Sequence, residues 1–194
     1  MTASESTLVA HWQPSAQAVV EQLTDLFGAR LVMGEADVAA GSWGELTRQL
    51  PVSATVVEVI LDGAHQGSLS IVWAVSDTSG PASWLGHSSV REGLWEAISS
   101  GISLGFGGGV TVVPSGDPWS ISDGKVPARA DETNLLVAWE AGGDGVSLYL
   151  GFVLQQSAAR ETQEPESSEP ARKVPTRPAR LPALKAEPAE RRSP

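Results

Sequence analysis

The chain has 194 residues, 41% of them hydrophobic, with a formal net charge of -10, which suits one well-buried domain of about 150 residues. It contains no Cys, so thiol nucleophiles, thiolate metal sites and disulfides are excluded and stability must come from packing. Through Gln156 five basic residues stand against seventeen acids; such a body repels phosphate backbones and anionic lipid, which disfavours direct nucleic-acid binding and favours a basic partner surface.

Residues 1–13 carry neither a basic leader nor an apolar run, and read as a flexible N-terminus. No stretch reaches the roughly 18 apolar residues of a membrane span, so a cytoplasmic protein without membrane insertion is expected. Pro14 suits the first turn of a helix, in which Val19, Val20, Leu23, Leu26 and Phe27 recur at helical spacing up to a stop at Gly28. ARLVMGEADVAAG follows, read as a short strand and an irregular segment. Next comes a hairpin, 56–60 with 69–75, rich in β-branched residues and joined by the turn DGAHQG. A second helix carries Leu94, Trp95, Ile98 and Ile102 and ends in the glycine run 105–109, read as a flexible loop. GGVTVVPSGDPWS and a second hairpin, 135–139 with 146–154 around AGGDG, complete the body.

The order is thus the same twice: helix, short strand, irregular segment, hairpin. We read residues 14–156 as one internally duplicated domain, with halves of about 14–76 and 90–154. The expected fold is α/β of the α+β kind, a two-layer domain with a mostly antiparallel sheet and two long helices related by a pseudo-twofold. Residues 157–194 hold seven of the thirteen Pro and no aromatic residue. That composition buries too little apolar surface to offset ordering entropy, so a disordered Pro-rich tail or linker is expected. Within it VPTRPARLPALK is either linker or a short recognition segment, its basic part 172–185 suited to an acidic surface.

At about 100° per residue, Gln17, Glu21 and Thr24 share the first helix face opposite Val19 and Leu23. Glu92, Glu96 and Ser99 do the same on the second. Each helix therefore offers a carboxylate followed three residues later by a hydroxyl. The plain alternative is two solvated acidic faces.

In this feature, EQLT at 21–24 and EAIS at 96–99, the chain resembles the CheC, CheX and FliY family of bacterial chemotaxis and the related middle domain of the flagellar switch protein FliM. In CheC and FliY two homologous helices each carry a Glu, two intervening residues and an Asn, and remove phosphate from the aspartyl-phosphate of the response regulator CheY. The resemblance implies that Glu21 and Glu96 would engage a basic group of the partner, and that Thr24 and Ser99 stand where the water-orienting Asn would be. Gln17 and Glu92 stand where the family shows Asp or Ser. A hydroxyl is shorter than an amide and differs in donor and acceptor geometry, so a non-catalytic binding protein of the chemotaxis or flagellar switch system is expected. A CheY-P phosphatase using Glu21 with Thr24 and Glu96 with Ser99, and an unrelated acidic binding module, are the alternatives. The partner implied is a phosphorylated response regulator or a switch-ring protein, with the chain cytoplasmic and peripheral at the motor. FliY and many FliN proteins follow a Pro-rich linker with a ring-forming module; here the linker-like tail is present, and such a module would either lie beyond this sequence or be supplied by another polypeptide.

No cofactor or metal site is expected. His11, His65 and His87 fall in different segments, none at helical ligand spacing from another. Of the seven Trp, those at 12, 43, 84 and 119 lie in or near expected loops and are candidate exposed anchors.

Overall fold

The computed structural model describes residues 3–77, 88–125 and 133–155. The tail from 157 onward, Trp84 and His87 lie outside them.

The first helix, α1, runs Ala3–Phe27 with Pro14 inside it, so residues 3–13 are helical rather than a flexible lead and Pro14 does not start the helix. The reason is a longer apolar stripe than the one read from residue 19. Leu8, Trp12, Ala16, Val19, Val20 and Leu23 are all buried, and burying each large side chain is worth about 1.5–3 kcal/mol. Together Leu8 and Trp12 offset the roughly 3 kcal/mol that a proline costs in a helix interior. Leu26, expected on the apolar face, is 42% exposed.

The strands β1 (Val32–Gly41), β2 (Thr55–Gly63), β3 (Gly67–Asp77), β4 (Val110–Pro114), β5 (Trp119–Ser120), β6 (Asn134–Gly143) and β7 (Val146–Gln155) form one antiparallel sheet, with a short helix α2 (Trp43–Leu46) and a second long helix α3 (Ser88–Gly105). Its order is β1-β6-β7-β3-β2-β4, with β5 also on β2. Exchanging β1 with β4, β2 with β6 and β3 with β7 returns this order read from the other edge. Both hairpins fall where the sequence placed them, somewhat longer. VMGEADVAAG is strand throughout rather than part strand, part irregular, because it lies along β6 with one register shift between Met33 and Ala36.

Matching details recur in the two halves. Gly63, ending β2, lies against the carbonyl of Gly109; Gly143, ending β6, lies against that of Arg30. A Cβ at either position would collide with backbone. The start of α2 and the start of β5 each contribute a Trp: Trp43 and Trp119 pack 5.9 Å apart in an apolar cluster with Leu46, Leu50, Val56, Val72 and Val153. That cluster plugs one face of the sheet. The main core lies on the other face, where α1 and α3 cover Val57, Ile71, Trp73, Trp139, Leu150 and Phe152.

The glycine run after α3 is ordered. Gly107 and Gly108 have φ of 70° and 77°, and their amides donate to the carbonyls of Leu104 and Ser103, both at 2.8 Å. These are the paired bonds with which left-handed glycines close a helix.

Candidate functional site

The outer layer is an antiparallel helix pair. Along α3, Gly93 faces Leu26, Gly101 faces Val19 and Gly105 faces Ser15 of α1. The Ser15 side chain is fully buried, its hydroxyl donating to the Ile102 carbonyl at 3.4 Å. Glycine at these positions lets the backbones approach closely, and the opposed directions set Glu21 level with Ser99 and Glu96 level with Thr24. The two motifs therefore lie side by side, head to tail.

Gln17, Glu21, Glu92 and Glu96 are exposed, whereas Thr24 and Ser99 are half-buried. Gln17 Nε2 donates to Glu21 Oε1 at 3.2 Å. The hydroxyls turn to the backbone: Thr24 Oγ1 accepts from the Leu31 amide at 3.4 Å, and Ser99 Oγ donates to the Glu96 carbonyl at 3.1 Å. Chemically the face offers carboxylates to a cation, and the proton of Ser99 is already committed within its own helix. Arg91 is the one Lys or Arg on either long helix.

Other features were invisible to sequence spacing. His11 of α1 and His65 of the β2–β3 turn stand 5.5 Å apart, ring to ring. Phe106 packs on both, 5.4 Å from His11 and 4.6 Å from His65. Nothing in a 54-residue separation signals such a pair; the fold makes it by bringing the turn onto α1. Trp12, Trp43 and Trp119 are at most 9% exposed, so these three are core residues and not exposed anchors. Tyr149, the only tyrosine, is pushed up to about 12 by burial and by the nearby charges of Asp37 and Glu140.

Burial, and then the neighbouring His65, hold His11 below its ordinary pKa. The unfolded chain therefore binds this proton at a higher pH than the folded chain does. The stability linked to His11 is complete above about pH 6.5, declines as pH falls below it, and levels off under the folded pKa. Urea midpoints measured across that range should fall with acidification, and His11→Phe should flatten the fall. An equal slope in the variant would remove His11 as its source.

No family model and no curated protein matches the chain. Among solved structures it is similar to the FliM middle domain of Vibrio alginolyticus, at 13% identity and a TM-score of 0.62, with 81% of this chain and 98% of that one covered. It is similar to Thermotoga maritima FliY at 11% identity and 0.58, covering 84% and 95%. FliM in a FliG–FliM complex from H. pylori gives 7% and 0.60, covering 82% and 99%. The chain thus has the fold of the FliM and FliY proteins, and the resemblance read from EQLT and EAIS holds at the level of fold. No described helix is long and apolar enough to cross a membrane.

Proposed function

We propose that this chain is a non-catalytic protein-binding component of the bacterial chemotaxis or flagellar switch system, cytoplasmic and peripheral at the motor. It engages its partner through the outer face of α1 and α3, at Gln17, Glu21, Thr24, Glu92, Glu96 and Ser99. The observation that carries this reading is the division of labour on that face: exposed carboxylates, and hydroxyls bonded to backbone. The fold neighbours add support. One is FliM in complex with FliG and another is FliM in complex with SpeE, so this fold serves as a docking surface elsewhere. A switch-ring protein or a phosphorylated response regulator with a basic surface fits the acidic face here. We also take residues 14–156 as one duplicated unit and 157–194 as its tail or linker.

The test is titration of the purified chain with each candidate partner. Glu21→Lys with Glu96→Lys should weaken capture at least tenfold, about 1.4 kcal/mol, while leaving stability within about 0.5 kcal/mol, as exposed substitutions do. Binding that survives both reversals would place the interface elsewhere.

A further inference from the structure

Beyond this partner face, the structure holds an aromatic cleft at the other end of the strands. A cavity of about 510 Å³ is lined by Trp73, Leu94, Trp95, Pro118, Trp119 and Asp123. Trp73 and Trp95 lie 6.2 Å apart with planes 36° from parallel. Trp73 and Trp119 are anchored in the core, at 6% and 9% exposure, and Trp95 is half-buried. Rigid indoles beside a carboxylate form a surface of the kind that recognises proline-rich segments flanked by arginine.

We propose that the occupant is the chain's own segment 172–185, docked in cis. That stretch carries Pro175, Pro178 and Pro182 among Arg172, Lys173, Arg177, Arg180 and Lys185, with no acid. Prolines three residues apart line one edge of an extended left-handed helix, which suits Pro175 and Pro178 to the half-buried indole of Trp95 and the adjoining Pro118. An arginine between or after them then meets Asp123. Charge complements at longer range as well: five cations approach a body in which acids outnumber bases by twelve through Gln156.

The tether fits the span. On β7, Leu154 pairs with Leu69 and Leu150 with Trp73, so the end of the strand lies four residues, about 13 Å, from the level of the cleft. Nineteen residues separate Gln155 from Pro175. A chain of that length without regular structure spans about 24 Å on average, which keeps the segment near the cleft at about millimolar effective concentration. Weak intrinsic affinity then suffices.

Because the sequence contains no Cys, Ala179→Cys in the full chain accepts a single nitroxide label. In isotope-labelled protein at low salt, the indole N–H signals of Trp95 and Trp119 and the amide of Asp123 should lose most of their intensity. The Trp12 indole should keep its own. Adding Arg177→Glu and Arg180→Glu should restore the lost signals, as should raising the salt. Undiminished cleft signals, or losses centred on Glu21 and Glu96 instead, would overturn the proposal. So would equal losses on mixing spin-labelled chain of natural isotope abundance with isotope-labelled chain lacking the nitroxide, since that would make a neighbouring copy the donor of the segment.

Discussion

Gly101→Ala should destabilise the folded chain by about 1–3 kcal/mol, the usual cost of forcing a methyl group into a packed interface. In an exposed helix interior the same change would stabilise by up to about 1 kcal/mol, so the sign itself is diagnostic. A Cβ on Gly101 would lie 2.5 Å from the Cα of Val19, and one on Gly105 would collide with the backbone of Ser15. Backbone cannot swing aside as a side-chain tip can; the helices must separate, and that loosens Ile98 and Ile102, which are fully buried. The double variant Gly101→Ala, Gly105→Ala should lose more than either alone. Gly93→Ala is the control, because its new methyl would meet the Cδ1 of Leu26 at 3.2 Å and that exposed side chain can move. Urea unfolding of the three single variants and the double separates the cases. A stabilised Gly101→Ala would show that the helices are not packed this closely.

Wild-type chain should accelerate loss of phosphate from an aspartyl-phosphate response regulator by no more than a few fold, where a positioned catalytic group typically supplies about 10²- to 10⁴-fold. A water attacking phosphorus must be held by a donor or acceptor free to aim at it. Ser99 Oγ–H points to the Glu96 carbonyl, so Ser99 can donate to a water only by giving up that bond; Thr24 Oγ1 takes the Leu31 amide, which restricts the directions left to its own proton and remaining lone pair. Neither hydroxyl has the span or planar geometry of an amide. Phosphate release should be followed with wild type, with Thr24→Asn plus Ser99→Asn, and with the Glu21→Lys, Glu96→Lys variant. Strong hydrolysis by wild type that disappears in the Glu variant would reinstate the phosphatase.

Much of the fold was legible because its signals are local. Each hairpin is two β-branched runs about a glycine-rich turn, and α3 shows its apolar stripe at Leu94, Ile98 and Ile102. The misreadings share one cause, in that a distant partner decided the outcome. Pro14 looks like a helix start until Leu8 and Trp12 find the core beyond it. Trp43 and Trp119 look like surface anchors until they meet across 76 residues of chain. Of the candidate site, helical spacing alone placed the carboxylates on the outer faces; that Thr24 and Ser99 turn to backbone depends on rotamers and on Leu31, which periodicity does not encode.

The exchange of strands between the halves also constrains how the polypeptide comes together in time. β1 belongs to the first half yet pairs only with β6, roughly a hundred residues later, and β4 of the second half rests on β2 of the first. As the chain leaves the ribosome, β1 has no strand to pair with until nearly the whole body has been made. The sheet is therefore completed only with the last hairpin, which supplies the template on which the first strand settles.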